Sequence, residues 1–276
     1  MGFDIFYCFL MSGDERSGNM LLAIDVGNTN TAIGVFNGQT LVGNWHISTN
    51  REHTSDETGM LLISLIEHSG IEPGLLKDVI ICSVVPPVMH SMTNAVKKYM
   101  NKNPILVEPG TKTGINIKYE NPRDVGADKI VNAVGAVKFY GCPVIIVDFG
   151  TATTFCAVDS KRDYLGGVIC PGIKISADAL FEKASKLPRI EIIKPKHIIG
   201  RTTVASMQSG LVYGYVGQVD HIVSLMKQEM AEENIRVVAT GGMAKLIASE
   251  SGTIGEVNSL LTLEGLLAIY EMNNSI

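Results

Sequence analysis

Apolar residues fall along this chain in two rhythms. Short β-branched runs alternate with longer stretches whose apolar positions recur every three or four residues, the spacings of strands and of amphipathic helices. Leu21 to Ile24 and Thr31 to Phe36 flank a Gly/Asn/Thr bend, which predicts a β-hairpin, and Gln39 to Ser48 predicts a third antiparallel strand beside it. Thr54 and Ser55 ahead of Asp56 and Glu57 make a helix start, carried to about His68 by Met60, Leu61, Ile63, Leu65 and Ile66. Val79 to Val85 reads as a buried strand stopped by Pro86-Pro87, Met89 to Tyr99 as a helix and Ile105 to Val107 as a strand. Gly114 to Tyr119 follows as a strand after the Pro109-Gly110 turn. A further helix begins at about Ala127, with Ile130, Val131, Val134 and Val137 on one face.

The second half repeats the plan. Strands are predicted from Val144, over Thr154 to Val158 and over Tyr164 to Cys170, and Pro171-Gly172 then opens a helix to about Ala184. Lys186 to Thr203 reads as loop and short strand. Thr203 begins a long helix to Met230 in which Gly210, Gly214 and Gly217 share one face open to another helix. Val237 to Ala239 is a strand ending in Thr240-Gly241-Gly242, a turn flat enough to take a purine or ribose. Asn258 to Tyr270 closes the chain as a helix, and Ser275-Ile276 is expected to fray.

The first hairpin carries more polar chemistry at its bend than a turn needs. Asp25 arrives at the end of an apolar strand, and Gly27, Asn28, Thr29, Asn30 and Thr31 follow with an unhindered backbone, amides and hydroxyls. Backbone N–H groups at such a bend suit an anion, and a carboxylate beside them suits Mg²⁺ held directly or through water. Taken alone, these residues serve equally as a structural turn or as a phosphate grip. Nearly half the chain later, Val144 to Asp159 (VIIVDFGTATTFCAVD) repeats the arrangement: laying Asp148 on Asp25 puts Gly150 on Gly27, Thr151 on Asn28 and Thr154 on Thr31. An internal repeat of that size predicts two similar α/β domains, each offering an Asp-x-Gly bend to a cleft between them.

Ile24 to Thr31 (IDVGNTNT), Ser83 to Pro87 (SVVPP), Val125 to Lys129 (VGADK) and Asp148 to Thr154 (DFGTATT) together resemble the type III pantothenate kinases. These belong to the superfamily of sugar kinases, actin and heat-shock ATPases, and the likeness runs from Met20 to the C-terminus. It implies a duplicated actin-like, ribonuclease H-like α/β fold, with one domain over 20–142, a second over 143–276 and a disordered extension over 1–19. The implied activity is ATP-dependent phosphorylation of pantothenate to 4'-phosphopantothenate, the first step of coenzyme A synthesis. By the same resemblance Asp25, Val26, Gly27, Asn28, Thr29, Asn30, Thr31 and Ala32 surround the ATP phosphates, with Asp25 toward Mg²⁺. Thr151 touches ATP, and Asp148 helps hold a monovalent cation, K⁺ or NH₄⁺.

On its own, Asp128 at a helix start is satisfied by complementing the helix dipole; the resemblance makes it the base that accepts the substrate hydroxyl proton. Tyr119, Gly126, Ala127, Asp128, Lys129 and Thr203 are the implied pantothenate contacts. The family usually has Arg where this chain has Lys129, so the positive charge is kept and the two-pronged grip on a carboxylate is lost. The family assembles as homodimers. Two alternatives share the fold: a nucleotide-binding regulator without turnover, such as a transcription accessory protein, and a kinase for another small hydroxylated acceptor.

Composition narrows the field without choosing within it. A chain of 276 residues with 46% hydrophobic and 18% charged residues fits an α/β enzyme of about two domains. Its net charge of −5, with no Lys/Arg stripe, argues against a nucleic-acid partner. The five cysteines include no C-x-x-C pair and read as small buried hydrophobes of a reducing cytoplasm, and the six histidines show no zinc spacing. Phe3 to Leu10 is too short and too poorly flanked for a signal peptide or a membrane span.

Overall fold

The computed structural model describes residues 20–274; the expectations for 1–19 and for Ser275-Ile276 lie outside the described residues. The first half builds a meander of β1 (Met20–Val26), β2 (Asn30–Asn37) and β3 (Thr40–Ser48), then α1 (Ser55–His68), β4 (Leu76–Ser83), α2 (Pro86–Met100) and β5 (Ile105–Leu106). A crossing segment follows, with β6 (Asn116–Ile117) and α3 (Ala127–Tyr140). The second half repeats the meander as β7 (Val144–Phe149), β8 (Ala152–Val158) and β9 (Asp163–Pro171). It continues with α4 (Ile173–Lys183), α5 (Thr203–Met230), β10 (Arg236–Gly241), α6 (Ala244–Ala248), β11 (Glu256–Val257) and α7 (Leu261–Asn274).

The duplication is visible in the strand orders. One sheet runs β3-β2-β1-β4-β5, and the other runs β9-β8-β7-β10-β11 with β6 added beyond β9. In each, the hairpin strands are antiparallel and the two later strands run parallel to the first. Alternation along the strands then creates three apolar layers. Leu22, Ile24 and Val26 point from β1 to the outer helices α1 and α2, where Leu62, Ile66, Met92 and Val96 are buried. Ile145, Val147 and Phe149 point from β7 to α5 and α6. The intervening residues Leu21, Ala23, Val144 and Ile146 face inward to one cluster, completed by Ile130, Val131 and Val134 of α3 and by Leu263, Leu266 and Ile269 of α7. Each fully buried aliphatic side chain here is worth about 1.5–3 kcal/mol. The middle layer therefore joins the halves through α3 and α7. These helices approach so closely that a Cβ on Gly265 would stand 2.2 Å from the Val131 carbonyl oxygen.

The structure changes several expectations. Pro86-Pro87 does not merely end a strand: Pro86 opens α2, three residues ahead of the expected start, because proline is pre-organised for the first helical turn. The strand expected over Gly114 to Tyr119 shortens to β6 and pairs with β9 of the opposite sheet. No strand forms between α4 and α5. The closing helix starts at Leu261 rather than Asn258, since the Asn258 side chain turns back to accept from the Leu260 N–H and to donate to Glu264. Among the described residues, no helix is long and apolar enough to cross a membrane, and Cys82, Cys142, Cys156 and Cys170 are free thiols.

Candidate functional site

Asp25 is the last but one residue of β1 and Asp148 the last but one of β7. Strand alternation turns both to the inner face, in line with Leu21 and Ala23 and with Val144 and Ile146. Asp128 lies in the first turn of α3, the helix sandwiched between those faces. Three acidic side chains from three elements therefore meet at one end of the shared layer.

Their electrostatics record the meeting. Burial pushes the Asp25 carboxyl up to about 7, the negative charges of Asp128 and Asp148 push it the same way, and a hydrogen bond with Cys82, its neighbour on β4, opposes them. Asp148 is pushed up to about 6 by burial and then by Asp128, against an amide hydrogen bond from Asn132 and the positive charge of Lys129. One oxygen of Asp25, Oδ1, is buried without a hydrogen-bond partner among the described residues. A desolvated, unsatisfied carboxylate oxygen beside two further acids suits a hard cation. Asp148 fits one too, because its Oδ1 occupies a cradle that a side chain on Gly241 would fill, at 2.7 Å. Among the described residues no three Asp, Glu, His or Cys side chains form a metal cluster by themselves, so a divalent ion here needs phosphate oxygens as further ligands.

The two bends touch. Thr29 Oγ1 lies 2.8 Å from Thr151 Oγ1 across the cleft. In the first bend the Gly27 N–H donates to the Asn30 carbonyl at 3.1 Å, and in the second the Gly150 N–H donates to the Ala152 carbonyl, also at 3.1 Å. The second bend is thus one residue shorter, which corrects the overlay made from sequence. Val26 pairs with Thr31 and Phe149 pairs with Thr153, so the counterpart of the buried Thr31 is the buried Thr153 rather than Thr154. Thr154 pairs with Asp148, as Ala32 pairs with Asp25.

The remaining predicted residues fall around this centre. Asn28, Thr29, Asn30 and Thr151 are exposed at the bend tips. Gly126 is the N-cap of α3 and Ala127 its first residue, both half-buried, and the Asp128 Oδ1 accepts from the Lys129 N–H at 2.8 Å. Lys129 forms no ion pair among the described residues, and its charge is felt by Asp148. Tyr119 follows β6, 42% exposed, with its ring 3.5 Å from where a Gly166 side chain would stand on β9. Thr203 opens α5, on the opposite side of the second sheet from the carboxylates, and is exposed.

Three further residues support the site. Asn132, only 3% exposed, donates from Nδ2 to Asp148 Oδ2 at 3.2 Å and accepts at Oδ1 from the Thr262 hydroxyl of α7 at 2.7 Å. It stands one helical turn after Asp128, and a lone amide inside an apolar stripe is its signal in the sequence. Thr49, the first residue after β3, hydrogen-bonds the first bend. Gly172 lies against the second bend, where any side chain would stand 2.1 Å from the Thr151 carbonyl oxygen.

Residues 21–225 match the type III pantothenate kinase family. A type III pantothenate kinase from Halalkalibacterium halodurans is 54% identical over 254 residues, which cover 92% of this chain and 100% of that relative. Two solved structures share the fold at low identity. One is a conserved protein from Campylobacter jejuni assigned to the Baf family of transcriptional activators, with TM-score 0.56, 18% identity, and 92% and 100% of the two chains covered. The other is the activator of 2-hydroxyisocaproyl-CoA dehydratase from Clostridium difficile, solved with bound ADPNP, with TM-score 0.52, 15% identity, and 91% and 93% covered. Those two show an architecture alone; the family match and the 54% relative reach further, and by them this chain belongs to the type III pantothenate kinases.

Proposed function

We propose that the three-carboxylate centre performs the family's reaction, transfer of the ATP γ-phosphoryl group to the primary hydroxyl of pantothenate, giving 4'-phosphopantothenate for coenzyme A synthesis. The observation that carries this is the convergence of Asp25, Asp128 and Asp148 on one face-to-face layer whose bends touch through Thr29 and Thr151. Phosphoryl transfer asks mainly for positioning and charge neutralisation. The exposed N–H groups of Asn28 and Thr29 have no acceptor among the described residues and suit the phosphate oxygens. Asp25 with the phosphates would hold Mg²⁺ and Asp148 would hold K⁺ or NH₄⁺, ions that would supply positive charge beside the buried carboxylates.

Asp128, in the first turn of α3, accepts the hydroxyl proton as the oxygen attacks phosphorus. Lys129, unpaired and next in sequence, faces the pantothenate carboxylate as a point charge, with Tyr119, Gly126 and Ala127 as the surrounding wall. Thr203 serves the site of a second subunit. Supporting a homodimer are exposed Ile175, Ile198, Ile199 and Val204 in the second half, and the open positions at Gly210, Gly214 and Gly217 of α5. Free cysteines favour a reducing compartment, the cytoplasm.

The test is a coupled assay with purified protein, Mg-ATP, pantothenate and either K⁺ or a non-activating cation. Formation of 4'-phosphopantothenate that requires K⁺ or NH₄⁺ is expected. ATP consumption without that product would overturn the acceptor, and full rates without the monovalent cation would remove it from Asp148.

A further inference from the structure

Thr49 is the first residue after β3, and three hydrogen bonds tie it to the first bend. Its hydroxyl donates to the Gly27 carbonyl at 2.7 Å, its N–H donates to the Thr29 carbonyl at 2.9 Å, and its Oγ1 lies 2.9 Å from Thr31 Oγ1. Because the Thr49 proton is committed to Gly27, the Thr31 hydroxyl is the donor of the third. The consequence follows from the planar trans peptide, in which C=O and the next N–H point in opposite directions. Holding the Gly27 carbonyl toward Thr49 aims the Asn28 N–H away from Thr49, toward the open tip of the bend. The Asn28 amide is one of the two without an acceptor among the described residues.

We infer that Thr49 is a positioning residue for the nucleotide phosphates: it sets the peptide plane that presents the Asn28 amide to them, without touching them itself. The inference rests on the reading that the first bend grips ATP. The repeat supplies an internal comparison. β9 ends at Pro171 as β3 ends at Ser48, and the residue after it is Gly172, which has no hydroxyl and packs against the carbonyl side of the second bend. Among the described residues, only the first bend therefore has its carbonyl clamped by a side chain, as expected if only that bend must hold an amide in a fixed direction for an anion.

The experiment compares Thr49→Val, Thr49→Ser and Gly27→Ala. Two quantities are read: the Kd of ADPNP with Mg²⁺ by calorimetry, and the KM values for ATP and pantothenate. Thr49→Val keeps the shape and removes the hydroxyl, so a rise of about ten-fold in ADPNP Kd and ATP KM is expected, with pantothenate KM within two-fold of the parent. Thr49→Ser should restore both nucleotide constants, which a packing role for the threonine methyl would not allow. Gly27→Ala forces a Cβ to within 2.8 Å of the Asn30 carbonyl oxygen and disturbs the bend directly. If Gly27→Ala weakens ADPNP while Thr49→Val does not, the positioning role is wrong and the phosphate grip stands. If neither variant weakens ADPNP, both fall. A Thr49→Val loss that serine fails to repair, or that falls equally on pantothenate, also overturns the inference.

Discussion

The two acidic bends descend from one plan and are held by opposite means. Each places an aspartate last but one in a strand, each closes with a glycine N–H donating across the turn, and each sits in a sheet of the same strand order. Yet the first bend is a residue longer, and a threonine hydroxyl clamps its carbonyl. The second is shorter, backed by a glycine that leaves no room for a side chain. Their carboxylates differ as well. Asp25 has an orphaned oxygen and two acidic neighbours acting on it, whereas Asp148 has the Asn132 amide and the Lys129 charge in partial compensation. Duplication kept the positions of the acids and let their supports diverge.

The largest expected effect lies outside both bends. Asp128 belongs to neither, so Asp128→Asn should lower kcat by about 10²-fold or more while leaving ADPNP affinity within a few-fold of the parent. A kcat within a few-fold of the parent would remove the base from the mechanism. Next comes the backing of the second bend. Gly172→Ala places a methyl 2.1 Å from the Thr151 carbonyl oxygen, where backbone must move, and should lower kcat/KM for ATP by roughly 10²-fold. Steady-state kinetics that match the parent would show that the second bend tolerates displacement and has no exacting task.

A stability measurement separates the two aspartates. Both carboxyls titrate above the ordinary carboxylate range when folded, so the native protein retains protons that the unfolded chain has released. Stability of the nucleotide-free protein should therefore fall as pH rises from about 4 toward the folded values of about 6 and 7. Asp25→Asn removes the worse of the two burials. In metal-free buffer at pH 8 it should raise stability by ~2 kcal/mol, or about 5 °C in Tm, and the gain should vanish near pH 4. Asp148→Asn should gain less, since Asn132 and Lys129 already ease that charge. Equal gains, or a gain that persists at pH 4, would contradict the assigned asymmetry.

Much of this was legible in the sequence, and what was not has identifiable physical reasons. The strands and long helices follow from apolar period, and α5 begins and ends at the expected Thr203 and Met230. Asp25 and Asp148 stand out as carboxylates delivered by apolar runs into glycine bends, whereas Asp128 is singled out only by the family resemblance; the three do come together. The overlay of Thr154 on Thr31 failed because an ungapped alignment of two Thr-rich bends cannot register a missing residue; only strand pairing shows it. The parts played by Thr49 and Gly172 have no local signature, because each acts through hydrogen bonds or space offered to another segment's backbone. The shared middle layer, with β6 joining the far sheet, depends on α3 and α7 packing between the halves, a contact with no local signature.

The smallest effect is the sharpest comparison, because it predicts opposite signs at equivalent positions. Thr31 and Thr153 are both buried, at 2% and 0% exposed, and both lie one residue beyond the aspartate's partner toward the bend. Thr31 spends its hydroxyl on Thr49, while Thr153 Oγ1 is buried without a partner among the described residues. Valine has nearly the shape of threonine and lacks the oxygen. Thr31→Val should therefore lower stability by ~1 kcal/mol, and Thr153→Val should raise it by ~1 kcal/mol, shifts of about 3 °C in opposite directions by calorimetry. Shifts of the same sign would mean that the two bends bury their hydroxyls alike, and that the Thr31–Thr49 hydrogen bond does not set them apart.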